Sequence, residues 1–263
     1  MPERQRLTIL LLTKNEAQRL QRCLESASWA DEVVIIDGQS TDGTQAIGRA
    51  FNAKVTERSF SGSFAEERNA GIDAASGDWI LQMDADEVIS PQLRTAIERL
   101  LEEGAPHAAF KIRRRNYFLG HEMRYGGWYH YHTALFRRAL ARYEGRVHER
   151  LKIQGSVGVL EADLCHYPFD SLTQFVDRQN RYTSLQARDL LETRGVLPIA
   201  TIKRQLWRRP LKLFWKLYIR KQGFREGLYG FVFSTLYAWV DFMVWAKYWE
   251  LTRTLSCTSR RAE

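Results

Sequence analysis

Over the first hundred residues, unbroken apolar runs alternate with stretches of helical spacing. Residues 7–13, 33–37, 54–57 and 79–83 read as strands, and 17–26, 43–50, 64–75 and 91–103 read as helices. Strands separated this regularly by helices predict βαβ units and a parallel sheet. The runs LTILLLT and EVVIID show no polar alternation, as expected of strands covered on both faces. From about residue 108 to 167 the apolar runs shorten between glycines and aromatics, which predicts a mixed continuation of the sheet with long loops. From about 171 to 255 the pattern is helical.

In such sheets ligands sit beyond the carboxyl ends of the strands, and polar residues gather there. The first run ends in Thr13, Lys14, Asn15 and Glu16, the second in Asp37 and the loop through Asp42 and Gly43, the fourth in Asp84, Ala85, Asp86 and Glu87. A helix cap at Ser40, Thr41 or Asp42 explains part of this, but not three acids at Asp37, Asp84 and Asp86. If the fourth strand stays extended, residues two apart share a face, so Asp84 and Asp86 point together. Paired carboxylates are hard oxygen ligands suited to Mg²⁺ or Mn²⁺; the plain alternative for the triplet is an acid-rich surface turn.

Charge divides the chain. Residues 1–100 hold 11 Lys/Arg against 16 Asp/Glu, while the remainder carries the excess that makes the whole +8. The acidic half suits a metal site, and the basic half suits an anionic partner. Three scattered cysteines form neither a C-x-x-C pair nor a disulfide framework, and the first apolar run is too short for a signal-peptide core. Both point to the cytoplasm. Five of the six histidines fall between 121 and 166 without zinc-site spacing.

Four stretches, LTILLLTKNE at 7–16, VVIIDGQSTDGT at 33–44, ERNAGIDAASGDWILQMDADE at 67–87 and RVHE at 146–149, resemble family 2 glycosyltransferases in order and spacing. Within that family the chain looks most similar to bacterial lipopolysaccharide inner-core β-glucosyltransferases. The resemblance implies an α/β GT-A nucleotide-diphospho-sugar transferase fold, a mostly parallel sheet flanked by helices, over residues 1–170. A helical, membrane-associating extension over 171–256 and a disordered tail at 257–263 would follow. It also implies an inverting transfer of a hexose, glucose favoured, from a nucleotide-diphospho-sugar, with a UDP-sugar favoured, to a lipid-linked saccharide.

The same resemblance places Thr13, Asn15 and Glu16 at the nucleotide, Asp37 at its base or ribose, and Asp42 in the supporting turn. Arg68 would lie near the base and diphosphate, Asp84 at the ribose or the metal's water, and Asp86 on the Mg²⁺ or Mn²⁺ itself. Bland alternatives stand beside these: a turn cap for Asp37, and a pair with Glu66 or Glu67 for Arg68. An inverting transfer needs a base for the acceptor hydroxyl, and Glu149 is the expected one. Its alternative is an ion pair with a nearby arginine. His148 is a candidate to orient Glu149 or meet phosphate, His166 a candidate extra metal ligand, and Glu87 a rival base. The aromatic loop at 124–132 suits either stacking on sugar rings or covering the sheet.

Between Lys203 and Arg225 there are nine Lys/Arg and no acid, interleaved with aromatic and aliphatic residues. That is the signature of an interfacial segment on anionic lipid. Residues 227–249 are long enough to span a bilayer, but Asp241, Lys247 and dense Trp/Tyr content favour a membrane-lying or re-entrant helix pair. The expected location is therefore the inner face of the cell membrane, with peripheral attachment and no nucleic-acid partner. Three other readings remain: a polyprenyl-phosphate glycosyltransferase, a nucleotidyltransferase, and a non-enzymatic nucleic-acid or membrane-binding module. The second is disfavoured by a first loop without glycine, and the third leaves the acidic strand ends unexplained.

Overall fold

A computed structural model describes residues 4–145 and 149–259, with side chains through 253. The first elements are β1 (Leu7–Thr13), α1 (Ala17–Ala27), β2 (Glu32–Asp37), α2 (Thr44–Ala50), β3 (Lys54–Glu57), α3 (Phe64–Ala74), β4 (Trp79–Asp84), β5 (Glu87–Ile89) and α4 (Pro91–Glu103). All eight elements read from the pattern are present within one residue of their expected ends, and β5 is an addition. Next come β6 (Ala109–Phe118), β7 (His121–Glu122), β8 (His130–Arg137), β9 (Ala141–Glu144), β10 (Arg150–Ile153) and β11 (Val157–Phe169). Three long helices follow: α5 (Leu172–Arg194), α6 (Ile199–Phe214) and α7 (Gly227–Ser259).

Among the described residues the main sheet has the order β3-β2-β1-β4-β8-β6-β11-β5, with β7 on β6, and β9–β10 form a separate hairpin. The first four strands are parallel. Beyond them β8, β6 and β5 pair antiparallel with their neighbours, so the continuation is mixed as expected. Register aligns the strand ends: Thr13 lies beside Asp37 and Leu12 beside Asp84. Alternate residues of β1 then enter opposite cores. Leu7, Ile9 and Leu11 join Leu20, Leu24, Leu93 and Ile97 of α1 and α4, while Leu10 joins Ile72 of α3 and Phe136 of β8. Each such buried aliphatic side chain contributes about 1.5–3 kcal/mol of apolar transfer. Gly71 lets α3 lie flat on β1, since a Cβ there would run into Leu10.

The chain forms two compact units. The first holds the strands and helices through α4, β6 up to Arg115, and residues from β8 to Pro168. The second takes residues 116–129 together with everything from Phe169 on. Its own core joins Phe118, Met123, Phe169, Phe175 and Phe233, with Trp128 and Tyr237 packed against them. The loop at 124–132 is therefore divided: Trp128 packs on Phe233 at 4.8 Å, whereas His130 and His132 lie on β8 in the first unit.

Candidate functional site

The loops after β1 and β2 are knitted to each other. Asp37 is fully buried. One of its oxygens accepts from the Thr13 and Ser40 hydroxyls at 2.9 and 2.6 Å, the other from the Ser40 amide at 2.8 Å and Gln45 at 2.9 Å. Burial works against its charge, yet these hydrogen bonds outweigh burial and hold its carboxyl below the usual range. Asn15 adopts a left-handed conformation, φ 57°, which Asn tolerates better than most residues. Its amide donates to Ser40 Oγ, and its side-chain oxygen accepts from the Thr41 amide, each at 2.8 Å. Asp42 closes on Thr44, whose amide donates to it at 3.0 Å, and also accepts from the Ala17 amide at 3.2 Å. The α2 start is therefore organised by Asp42 and Thr44, not by a side-chain cap from Ser40 or Thr41. Glu16 pairs with Arg19 one turn on, at 3.1 Å.

The end of β4 departs from the extended reading. The strand stops at Asp84, and Ala85–Asp86 form a turn into β5. The two aspartates therefore do not share a strand face. Asp84, with its side chain about half exposed, accepts from Arg114 at 3.0 Å. Asp86 is buried and lies 3.5 Å from His166 Nε2. The antiparallel pairing of β5 with β11, which sets His166 opposite Glu87, supplies that histidine. Glu87 is fully buried, accepts from the Asp84 amide at 2.8 Å and pairs with Arg114 at 2.6 Å. Burial pushes its carboxyl up to about 8, with the charge of Asp84 adding and Arg114 pulling back. Burial works against Arg114's own charge, but Glu87, Asp84 and Asp86 outweigh it and raise its pKa.

Glu149 and Arg68 meet. α3 grips the β9–β10 hairpin through two Asn69–Tyr143 hydrogen bonds of 2.9 Å, and the Tyr143 hydroxyl donates to Gln82 of β4 at 2.7 Å. Glu149 stands just before β10, and its carboxylate lies 3.7 Å from Arg68 Nε. Arg68 also lies over the Tyr143 ring, 5.3 Å from its centre. The arginine's partner thus comes from the hairpin, while Glu67 on its own helix pairs with Arg58. His148 lies outside the described residues.

Sequence reasoning missed Arg114, Tyr143 and Gln82. A signal for Arg114 exists in the Arg113–Arg114–Arg115 run on a strand, where neighbours face opposite sides. Arg113 and Arg115 both pair with buried Asp163, and Arg114 alone turns to the acids of β4 and β5. Burial, with Arg114 and His130 nearby, pushes His132 down to about 3, so it is neutral at ordinary pH.

For a divalent cation, Asp86 and His166 offer a carboxylate oxygen and an imidazole nitrogen side by side. No group of three or more His, Cys, Asp and Glu is close enough to hold an ion among the described residues. This donor set fits a cation that draws the rest of its shell from phosphate oxygens and water, the habit of Mg²⁺.

Residues 8–154, more than half of the chain, match the model of glycosyl transferase family 2. The chain belongs to that family. It is a glycosyltransferase with the GT-A fold, its parallel strands leading into a mixed sheet. Relatives align over nearly the whole glycosyltransferase. An uncharacterized glycosyltransferase of Rickettsia bellii is 27% identical, over 94% of this chain and 87% of its own. The lipopolysaccharide core biosynthesis glycosyltransferase LpsC of Rhizobium meliloti is 26% identical, over 93% and 92%. Among solved structures, S. aureus TarS 1–349 with UDP-GlcNAc is 14% identical over 98% of this chain and 92% of that one, with a TM-score of 0.46. Glucosyl-3-phosphoglycerate synthase from Mycobacterium tuberculosis, in complex with Mn²⁺, UDP and glucosyl-3-phosphoglycerate, is 22% identical over 42% and 44%, with a TM-score of 0.37.

Proposed function

We propose that this glycosyltransferase is an inverting, divalent-cation-dependent enzyme that moves a hexose from a UDP-sugar to a lipid-linked saccharide of the lipopolysaccharide core. Glucose is the favoured sugar, and the inner face of the cell membrane the favoured location. The observation that carries the donor half is the buried Asp86–His166 pair beside Asp84, Glu87 and Arg114 at the sheet edge of a family 2 chain. The lipopolysaccharide assignment rests on the likeness to LpsC, 26% identical over 93% of this chain.

In this reading Asp86 and His166 hold the cation, with Asp84 facing its water or the ribose. When bound, the ion supplies Lewis-acid stabilisation to the charge growing on the leaving diphosphate. Arg114 bridges the half-exposed Asp84 and the buried Glu87. The loop tied down by Asp37, Asn15 and Asp42 forms the wall for the nucleotide, with Thr13 and Glu16 at its base. Arg68 serves the diphosphate and in its absence rests on Glu149. Glu149 takes the proton from the acceptor hydroxyl as that oxygen attacks the anomeric carbon opposite the diphosphate.

Calorimetry with UDP-glucose and GDP-mannose, each with and without Mn²⁺, tests the donor assignment. Cation-dependent UDP-glucose binding is expected, with Asp86→Asn abolishing the cation dependence. Glu149→Gln should retain donor binding and lose transfer by about 10²–10⁴. Wild-type transfer by Glu149→Gln removes the base assignment, and cation-independent donor binding removes the metal.

A further inference from the structure

α7 is the one helix, among the described residues, long and apolar enough to cross a membrane. Its two interrupting charges, however, are tied to neighbouring helices. Asp241 pairs with Arg209 of α6 at 2.9 Å, and Lys247 donates to Asn180, Thr183 and Ser184 of α5 at 2.6–2.9 Å. Trp245 and Tyr248 are buried against Ala187 and Ile202, and the Tyr248 hydroxyl donates to the Gly195 carbonyl at 2.6 Å. α7 thus packs against both α5 and α6.

Exposed apolar side chains also occur on α7, Leu228 and Phe231 among them, but the apolar row that runs beside cations lies on α6 and the π-helical turn that continues it, Trp215–Arg220. Trp207, Leu211 and Trp215 are 74%, 66% and 58% exposed, among the most exposed large apolar residues of the chain. Spaced by four, they form one row along the helix, on the side away from Ile202 and Leu206, which pack inward. A second four-spaced row, Arg204, Arg208, Lys212 and Lys216, runs beside it and is also exposed. No acid occurs between Lys203 and Arg225, so a second copy of this face would be repelled, and the occupant must be anionic.

We propose that α6 is the membrane-docking element. It lies flat on an anionic bilayer, with Trp207, Leu211 and Trp215 inserted at the headgroup boundary and the parallel cation row on lipid phosphates. This rests on the membrane location proposed above and deepens it by naming the residues that would enter the bilayer. A row of apolar side chains of this depth, flanked by cations, matches an interface better than a nucleic-acid groove, where aliphatic Leu211 would have no base to stack on.

Co-sedimentation of the full chain with phosphatidylcholine vesicles, with and without phosphatidylglycerol and at low and high salt, tests this. Binding should require the anionic lipid and weaken with salt. The triple variant Trp207→Ser, Leu211→Ser, Trp215→Ser should lose affinity by about tenfold or more, and so should Arg204→Gln with Arg208→Gln and Lys212→Gln. Leu185→Ser, an exposed apolar position on α5, should leave binding unchanged. Retention of the triple variant on vesicles after an alkaline wash would overturn the proposal in favour of α7 as the anchor. Tighter binding to RNA than to anionic vesicles would overturn it as well. UDP-glucose binding by the same variants in solution reads the catalytic assignment separately: if wild type binds vesicles but no nucleotide-sugar, the enzyme reading alone fails.

Discussion

The ends of β2 and β4 carry the same sequence signature, an acid closing an apolar strand, and the fold uses the two in opposite ways. At β2, Asp37 is surrounded by neutral donors that belong to its own loop, and its charge is fully answered by hydrogen bonds. At β4, three acids are crowded within four residues, where they meet the Arg114 guanidinium from β6 and the His166 imidazole from β11. A carboxylate satisfied by neutral donors fixes a shape. Carboxylates gathered around charged partners from other strands make a charged site. The lesson is that the partner of an acid, more than its position on a strand, decides whether it anchors or binds.

The strongest way to break this contrast is to remove the cation from the β4 cluster. Arg114→Met leaves Asp84 and buried Glu87 without their guanidinium, and should cost about 3–5 kcal/mol of folding stability above about pH 8, where Glu87 carries its charge, and less below it. Denaturant unfolding checks this, and a loss below about 1 kcal/mol would mean that Arg114 does not hold the cluster together. Added Mn²⁺ should recover part of the loss if the acids are free to take a cation instead.

A smaller effect is expected at the β2 end. Asp37→Asn replaces an oxygen that accepts from the Ser40 amide or Gln45 with a donor, at a cost of about 1–3 kcal/mol. Its pH signature sharpens the comparison. The folded pKa of Asp37 lies below its unfolded value near about 3.9. The stability it contributes is therefore full above that pH and fades as pH falls through the folded value. The Asn variant should show a shallower loss of stability on acidification, and an unchanged acid limb would refute the anchoring role.

The smallest effect on stability belongs to Asp84. Its side chain is about half exposed and Arg114 keeps Glu87 as a partner, so Asp84→Asn should shift stability by less than about 1 kcal/mol. Donor binding in the presence of Mn²⁺ should suffer instead. A stability loss as large as that of Asp37→Asn would place Asp84 among the structural acids and dissolve the distinction.

Much of this was legible beforehand because it is local. Unbroken apolar runs mark strands buried on both faces, and helical spacing marks 91–103 as α4, whose start Ser90 caps by accepting from the Leu93 amide at 3.1 Å. Other contacts were illegible because they join residues far apart in the chain. Arg68 reaches Glu149 only because Asn69 and Tyr143 fasten α3 to a hairpin, and His166 reaches Asp86 only because β5 folds back onto β11. The turn at Ala85–Asp86 was misjudged for a related reason. An acidic triplet after a strand looks the same in sequence whether the chain runs on or reverses, and the pairing partner that settles it lies some eighty residues later.

By itself, then, the sequence determined the strand–helix order, the acidic strand ends and the basic, aromatic character of the last hundred residues, since these depend on spacing and composition alone. The tertiary structure decided which cation answers which acid, because opposite charges distant in the chain are matched only when strands pair. It also decided which apolar row stays open beside the cations, that of Trp207, Leu211 and Trp215. Helical spacing identifies a face, but only packing shows whether that face is already covered.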